Sequence, residues 1–99
     1  MEKKYSLPYK AEIGIVKLAE KCGIDKVILF GSRARGDNSR TSDIDIAVSG
    51  GQVYRFKCSV DDEVETLLMF DVVNLDDEIQ PELLESIKKE GIVIYEKGG

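Results

Sequence analysis

Three aspartates stand where the surrounding pattern is otherwise apolar. Asp43 and Asp45 are two residues apart at the start of one apolar run, and Asp71 interrupts a second run at 69–73. Side chains two apart on a strand leave the same face, so Asp43 and Asp45 are predicted to point to one side of a sheet. If Asp71 lies on a neighbouring strand, the three carboxylates repel one another, and a divalent cation relieves that repulsion.

Each acid also has a simpler interpretation. Asp43 and Asp45 could be the solvated start of a strand. Asp71 could lie on a partly exposed edge strand. Within a buried strand, an unpaired carboxylate would cost several kcal/mol.

The composition limits which metal such a site could take. The chain has no histidine and only two cysteines, Cys22 and Cys58, which we expect to be free thiols. These counts exclude histidine-dependent catalysis and a cysteine-based zinc site. Carboxylate oxygens alone favour two Mg²⁺ ions, or Mn²⁺, as in phosphoryl-transfer sites.

A second group of residues is suited to phosphate. Gly31–Ser32 follows an apolar run and opens a short turn or helix, so the backbone amide and hydroxyl of Ser32 can meet a phosphate. Arg33 and Arg35 could neutralise triphosphate charge, but alternate residues of a helix cannot both face one ligand, and we favour Arg35. Ser42 is a further candidate, either for nucleotide binding or for steadying the loop before Asp43.

Charge and hydropathy indicate where the protein works. The net charge of −5 and a basic cluster confined to residues 33–40 suit a local phosphate pocket better than a track for DNA or RNA. No apolar run is long enough to cross a bilayer, and no secretion signal is evident, so we expect a cytoplasmic protein. The residues leave open whether it forms a homo-oligomer.

Periodicity predicts one α/β (α+β) domain over residues 1–99. About four strands form a small mixed sheet flanked by helices. The predicted helices cover 8–22, 52–68 and 81–90, with a turn or short helix at 32–36. The predicted strands cover 26–30, 43–48, 69–74 and 92–95.

The string GSRARGDNSRTSDIDIAV resembles the signature of the DNA polymerase β-like nucleotidyltransferase superfamily. Gly31–Ser32, ten further residues and Asp43–Ile44–Asp45 carry the resemblance, with Asp71 in a later strand. The string is most similar to the minimal MNT branch, whose members are often encoded beside a HEPN-domain toxin.

The resemblance implies a role for each matching position. Asp43 and Asp45 would hold two Mg²⁺ ions, and Asp71 would bind the catalytic ion and help deprotonate the attacking hydroxyl. Gly31 and Ser32 would hold the terminal phosphates of ATP. The implied reaction is AMP transfer to a tyrosine of the HEPN toxin. Larger relatives carry a further domain for the base and acceptor, and we expect a partner protein to supply the acceptor here.

The residues and the resemblance leave three functions open. The first is an Mg²⁺-dependent protein adenylyltransferase that acts as an antitoxin. The second is a small-molecule nucleotidyltransferase of the antibiotic-modifying type. The third is a non-catalytic module that silences a toxin by binding alone.

Overall fold

Helices and strands alternate along the whole described part of the chain. A computed structural model describes residues 5–98. The elements are α1 (Tyr9–Lys21), β1 (Lys26–Phe30), α2 (Ser32–Arg35), β2 (Ile44–Ser49), α3 (Val53–Glu63), β3 (Phe70–Asn74), α4 (Pro81–Glu90) and β4 (Ile92–Glu96). The predicted α/β class and order of elements are confirmed. Over residues 5–98, no helix combines the length and the apolar character needed to cross a membrane.

The four strands form one mixed sheet in the order β3-β2-β1-β4. Strand β1 pairs antiparallel with both β2 and β4, whereas β2 and β3 pair in parallel. A parallel pair needs a crossover connection, and α3 supplies it between β2 and β3. This topology makes β3 an edge strand beside β2.

Helices cover the two faces of the sheet unequally. The larger core joins α1 and α3 to residues such as Leu29, Ile46 and Val72, while a smaller one joins Ile87 of α4 to Phe30 and Ala47. Because strand side chains alternate between faces, every second residue of β2 points towards the α4 side. The smaller cluster leaves the beginnings of β2 and β3 uncovered on that side. Cys22 is buried and Cys58 exposed, and both are free thiols, as expected.

Helix α3 is shorter than its periodicity predicted. The apolar spacing indicated a helix over 52–68, but the helix ends at Glu63, and Val64 has extended backbone angles. Val64 is buried against α1, where a Cβ at Gly14 would lie 2.9 Å from Val64 Cγ1. Leu67 is fully exposed. The prediction was wrong over 64–68 because packing of Val64 against α1 draws the chain out of the helix.

The segment before α1 is fastened to the body of the domain. Leu7 is buried, and Tyr5 Oη donates a 2.7 Å hydrogen bond to Glu12 Oε2. The backbone amide of Ser6 donates a 2.9 Å bond to the carbonyl of Arg33. This segment therefore reaches both α1 and α2.

Tyr5 is expected to ionise later than a free tyrosine. Burial, followed by the hydrogen bond and charge of Glu12, raises the pKa of Tyr5 from 10.0 to about 12. A raised pKa means that the stability from the neutral hydroxyl is complete below pH 10 and is lost as the pH rises through about 12. Absorbance titration should show a transition near 12 that Tyr5→Phe removes. A folded wild-type chain whose tyrosines all titrate near 10 would contradict this assignment.

Candidate active site

The three predicted acids come together at the beginnings of the parallel pair. Asp45 lies in β2 directly beside Asp71 of β3 in the register of the sheet, and Asp43 immediately precedes β2. Ile44 and Ile46 are fully buried in the larger core, so Asp45 points to the opposite, α4 side. Register neighbours share a face of the sheet, so Asp71 points to the α4 side with Asp45, and Asp43 is near enough for its charge to act on Asp45.

Asp71 lies on an exposed edge, not inside a buried strand. β3 has β2 on one side only, and Asp71 is exposed whereas Val72 is buried. Of the two interpretations of Asp71, the structure supports the edge strand. Burial therefore does not force this carboxylate to be neutralised, and its importance depends on its position beside Asp45.

Electrostatics at Asp45 reflect this arrangement. Desolvation raises the pKa of the Asp45 carboxyl, and the negative charges of Asp71 and Asp43 raise it further, while Arg35 opposes them. The acids therefore interact unfavourably without a cation. Arg35 is the arginine whose charge reaches them.

Gly31 meets Asp45 at close range. Phe30 is the register partner of Asp45, so the chain turns at Gly31 beside that side chain. Gly31 has φ 75° and ψ −158°, a conformation open essentially only to glycine. A Cβ built there would strike Asp45 Oδ2 and lie 3.1 Å from its Cγ. The absence of a side chain at Gly31 thus allows the Gly31–Ser32 turn to sit against the acids.

The turn after β1 leaves donors available. The carbonyl of Gly31 accepts bonds from the amides of Ala34 and Arg35, both at 3.1 Å. The amides of Ser32 and Arg33 belong to the first turn of α2, where intrahelical acceptors are missing. Ser32 is half-buried beside these amides. The arrangement can receive an anion next to the carboxylates.

The two arginines of α2 have different surroundings. Arg33 is 3% exposed and donates to the backbone carbonyls of Ser42, Ser6 and Arg40. Arg35 is exposed and forms ion pairs of 3.0 Å with Asp37 and 2.8 Å with Glu90. Of the two, only Arg35 is placed to meet a ligand at the surface.

Ser42 is engaged within its own loop. Its Oγ accepts a 2.9 Å hydrogen bond from the amide of Ser39, and the two serine hydroxyls lie 3.1 Å apart. These bonds match the loop-steadying role considered for Ser42. Nucleotide binding by its hydroxyl stays a prediction.

The carboxylates fit Mg²⁺ or Mn²⁺ in donor chemistry. All three donors are carboxylate oxygens, and their mutual repulsion is of the kind that a divalent cation relieves. Within the described residues, no three acidic or thiol side chains converge into a ready-made metal cluster. The register of the sheet thus brings Asp45 and Asp71 side by side without forming a preassembled cluster of three side chains.

Sequence reasoning missed the buried state of Arg33. Arg33 and Arg35 are the same residue type, two positions apart in one short polar segment. Nothing in that spacing marks which guanidinium turns inward. The carbonyls that surround Arg33 come from residues up to 27 positions away, which only the folded chain brings together.

A family model matches most of the chain. Residues 14–98 match the family model described as polymerase beta, nucleotidyltransferase. The chain belongs to this family, which confirms the superfamily predicted from the Gly31–Ser32 and Asp43–Asp45 motif. No curated protein sequence matches the chain.

Several solved structures share the fold. One is a toxin–antitoxin complex with AMP-PNP, with 24% identity, a TM-score of 0.63 and coverage of 88% of this chain and 74% of that chain. Another is an MntA–HpeT mutant in which two aspartates two positions apart became glutamate, with 22% identity, a TM-score of 0.65 and coverage of 88% and 74%. A third is tri-AMPylated Shewanella oneidensis HEPN toxin in complex with MNT antitoxin, with 20% identity, a TM-score of 0.55 and coverage of 88% and 71%. At these identities the likeness establishes the fold.

Proposed function

We propose that this nucleotidyltransferase moves AMP from ATP to a hydroxyl group of a HEPN toxin, most simply a tyrosine, and so acts as its antitoxin. The observation that carries the proposal is the register of Asp45 with Asp71 directly beside the Gly31 turn. A turn suited to phosphate thus lies against neighbouring carboxylates, which supports AMP transfer as the reaction. Complexes of the same fold with AMP-PNP and with an AMPylated HEPN toxin support this substrate and acceptor.

The three acids would bind the metal ions according to their positions. Asp43 and Asp45 would hold two Mg²⁺ ions, and Asp71 would contribute to the catalytic ion. When bound, the ions stabilise charge on the phosphates and lower the pKa of the attacking hydroxyl. The two aspartates replaced by glutamate in the MntA–HpeT mutant have the same two-residue spacing as Asp43 and Asp45.

The proposed reaction is a single displacement at the α-phosphorus of ATP. The acceptor oxygen attacks the α-phosphorus of ATP, the bond from that phosphorus to the bridging oxygen breaks, and pyrophosphate leaves. Asp71, exposed on the open edge of the sheet, takes the proton of the attacking hydroxyl. Gly31 and Ser32 would hold the departing phosphates.

Arg35 and Ser42 complete the proposed nucleotide site. Arg35 can exchange its ion pairs with Asp37 and Glu90 for a triphosphate oxygen, since both pairs lie at the surface. Ser42 precedes Asp43 and could offer its hydroxyl to the nucleotide.

An acceptor of protein size can reach this site. Asp43 and Asp71 are exposed, and Met69, which immediately precedes β3, is 64% exposed. The amide of Ile44 bonds to the carbonyl of Met69, which fixes this neighbourhood. An open, partly apolar border suits a partner protein better than an enclosed small molecule.

Intact mass after mixing with ATP, Mg²⁺ and a HEPN toxin from the same genome tests the proposal. We expect the toxin to gain one or more AMP units and its RNase activity to fall. AMP appearing on an aminoglycoside without any partner would support the small-molecule alternative instead. Full silencing of the toxin by amide variants of the three acids, with no mass gain, would support the binding module.

A further inference from the structure

Arg33 is the single charged side chain that is buried within residues 5–98, at 3% exposure. No carboxylate of the described chain lies within ion-pair distance of it, although burying an unpaired charge is costly. Its neighbours are backbone carbonyls. A guanidinium kept in such a place must obtain its stabilisation from well-directed hydrogen bonds.

The guanidinium donates in three directions. Nε donates to the carbonyl of Ser42 at 3.0 Å, Nη2 to that of Arg40 at 3.2 Å, and Nη1 to that of Ser6 at 3.2 Å. We call this group, Arg33 with those three carbonyls, the Arg33 clamp. The amide of Ser6 also donates to the carbonyl of Arg33, so the segment before α1 is bonded to Arg33 twice.

The Arg33 clamp joins the two parts of the chain that lead into the candidate site. Arg33 directly follows Ser32 of the phosphate turn, and Ser42 directly precedes Asp43. Between them, residues 35–37 and 39–41 are exposed and bury no apolar surface. Hydrophobic packing therefore does not fix this loop, and the bonds from Arg33 join its end to its beginning.

We propose that Arg33 is a positioning residue whose guanidinium sets the placement of Gly31–Ser32 relative to Asp43. This inference rests on the proposed function of the site. Most of the residues between Ala34 and Ser42 are exposed and polar, yet the two ends of this stretch must meet one nucleotide. The hydrogen bonds of Arg33 fix the distance across this loop. A phosphate held by Gly31–Ser32 therefore faces the carboxylates of the candidate site.

The shape of the side chain, and not only its charge, is needed. A guanidinium presents donors in a rigid planar fork, whereas a lysine ammonium is a compact point charge on a flexible stem. Lysine at this position keeps the charge but cannot reach carbonyls on three sides with the same geometry. Arg33→Lys therefore separates positioning from charge neutralisation.

The first test needs no substrate. Hydrogen exchange is compared for wild type, Arg33→Lys and the control Arg40→Lys, whose side chain is exposed in the same loop. We expect amides of residues 39–43 to exchange about tenfold faster or more in Arg33→Lys, while β1 and β2 keep their protection. Exchange in that loop equal to wild type would overturn the proposal, whether or not the protein transfers AMP.

The second test uses the transfer reaction. A displacement of about 1 Å at reacting groups can cost about 10²-fold in rate, so we expect Arg33→Lys to lose about 10²-fold in kcat with a much smaller change in KM for ATP. Arg40→Lys should match wild type. Retention of the wild-type kcat in Arg33→Lys would overturn the positioning role of Arg33. Absence of transfer by the wild type would instead count against the proposed function, and the hydrogen-exchange test would then decide the role of Arg33.

Chemical rescue provides a third readout. In Arg33→Ala, millimolar guanidinium should restore part of the lost kcat, because it can donate to the same carbonyls, and equal ammonium should not. Equal rescue by both ions would indicate a simple charge effect and overturn the geometric role. If Arg33→Ala does not fold, the exchange and kcat of Arg33→Lys decide.

Discussion

Replacing Asp45 by asparagine is expected to reduce AMP transfer by at least about 10³-fold, since metal-assisted stabilisation of the transition state is worth several kcal/mol. Asp45 stands between Asp43 and Asp71 and against Gly31, so it has the most central position of the three acids. The measurement is kcat with ATP, Mg²⁺ and the toxin, alongside Asp62→Asn. Asp62 is exposed on α3, away from the cluster, and its variant should keep full activity.

The same variant should be more stable than wild type when no cation is bound. Desolvation and the charges of Asp71 and Asp43 raise the pKa of Asp45, so its ionised form destabilises the folded state. A raised folded-state pKa means that stability is greatest at acidic pH and falls as Asp45 ionises. We therefore expect Asp45→Asn to raise Tm near pH 7 in the presence of EDTA, with the gain vanishing at acidic pH.

An Asp45→Asn protein that keeps more than a tenth of wild-type activity would show that the site has been misplaced.

Replacing Gly31 by alanine is expected to damage both stability and activity. At φ 75° and ψ −158° a residue with a Cβ is strained by about 1–3 kcal/mol, and the added methyl would also collide with Asp45 Oδ2. Either the turn or the carboxylate must move, so we expect a transfer rate lower by about 10²-fold. Urea unfolding and steady-state kinetics measure the two effects.

Gly36→Ala is the matched control for this prediction. Gly36 also has a positive φ of 85°, but a Cβ there meets nothing within 4 Å. It should cost about 1–2 kcal/mol of stability through the left-handed backbone and leave kcat nearly unchanged. If both alanine variants lose activity equally, backbone strain in α2 and not contact with Asp45 is responsible.

The positions of Asp43 and Asp45 along the chain could be predicted because the alternation around them is a local pattern. Alternation at 43–48 predicts Asp43 and Asp45 on one face of the sheet, and in the structure Asp45 lies in β2 with the charge of Asp43 close enough to raise the pKa of its carboxyl. That Asp71 would lie beside Asp45 was conditional on strand order, which periodicity does not encode. The parallel pairing of β2 with β3 supplies that condition.

The features that escaped prediction depend on distant contacts. Val64 continues a helical spacing, yet its packing against Gly14 ends α3 at Glu63. Arg33 looks like its neighbour Arg35, yet its donors find the carbonyls of Ser6, Arg40 and Ser42 only after the chain has folded. In both cases the deciding partner is remote in sequence, so composition and spacing could not reveal it.

The bonds between Ser6 and Arg33 have a practical consequence for anyone handling this protein. They tie residues ahead of α1 to the segment that follows the Gly31–Ser32 turn, so trimming by a protease through Ser6 is expected to slow the proposed AMP transfer while every proposed catalytic group stays in the chain. An affinity tag placed close before Ser6 carries the same risk. A tag placed after Lys97 adjoins β4, which lies at the opposite edge of the sheet from β3 and Asp71. Comparing the two tagged forms before kinetic work would prevent a purification artefact from being taken for a property of the enzyme.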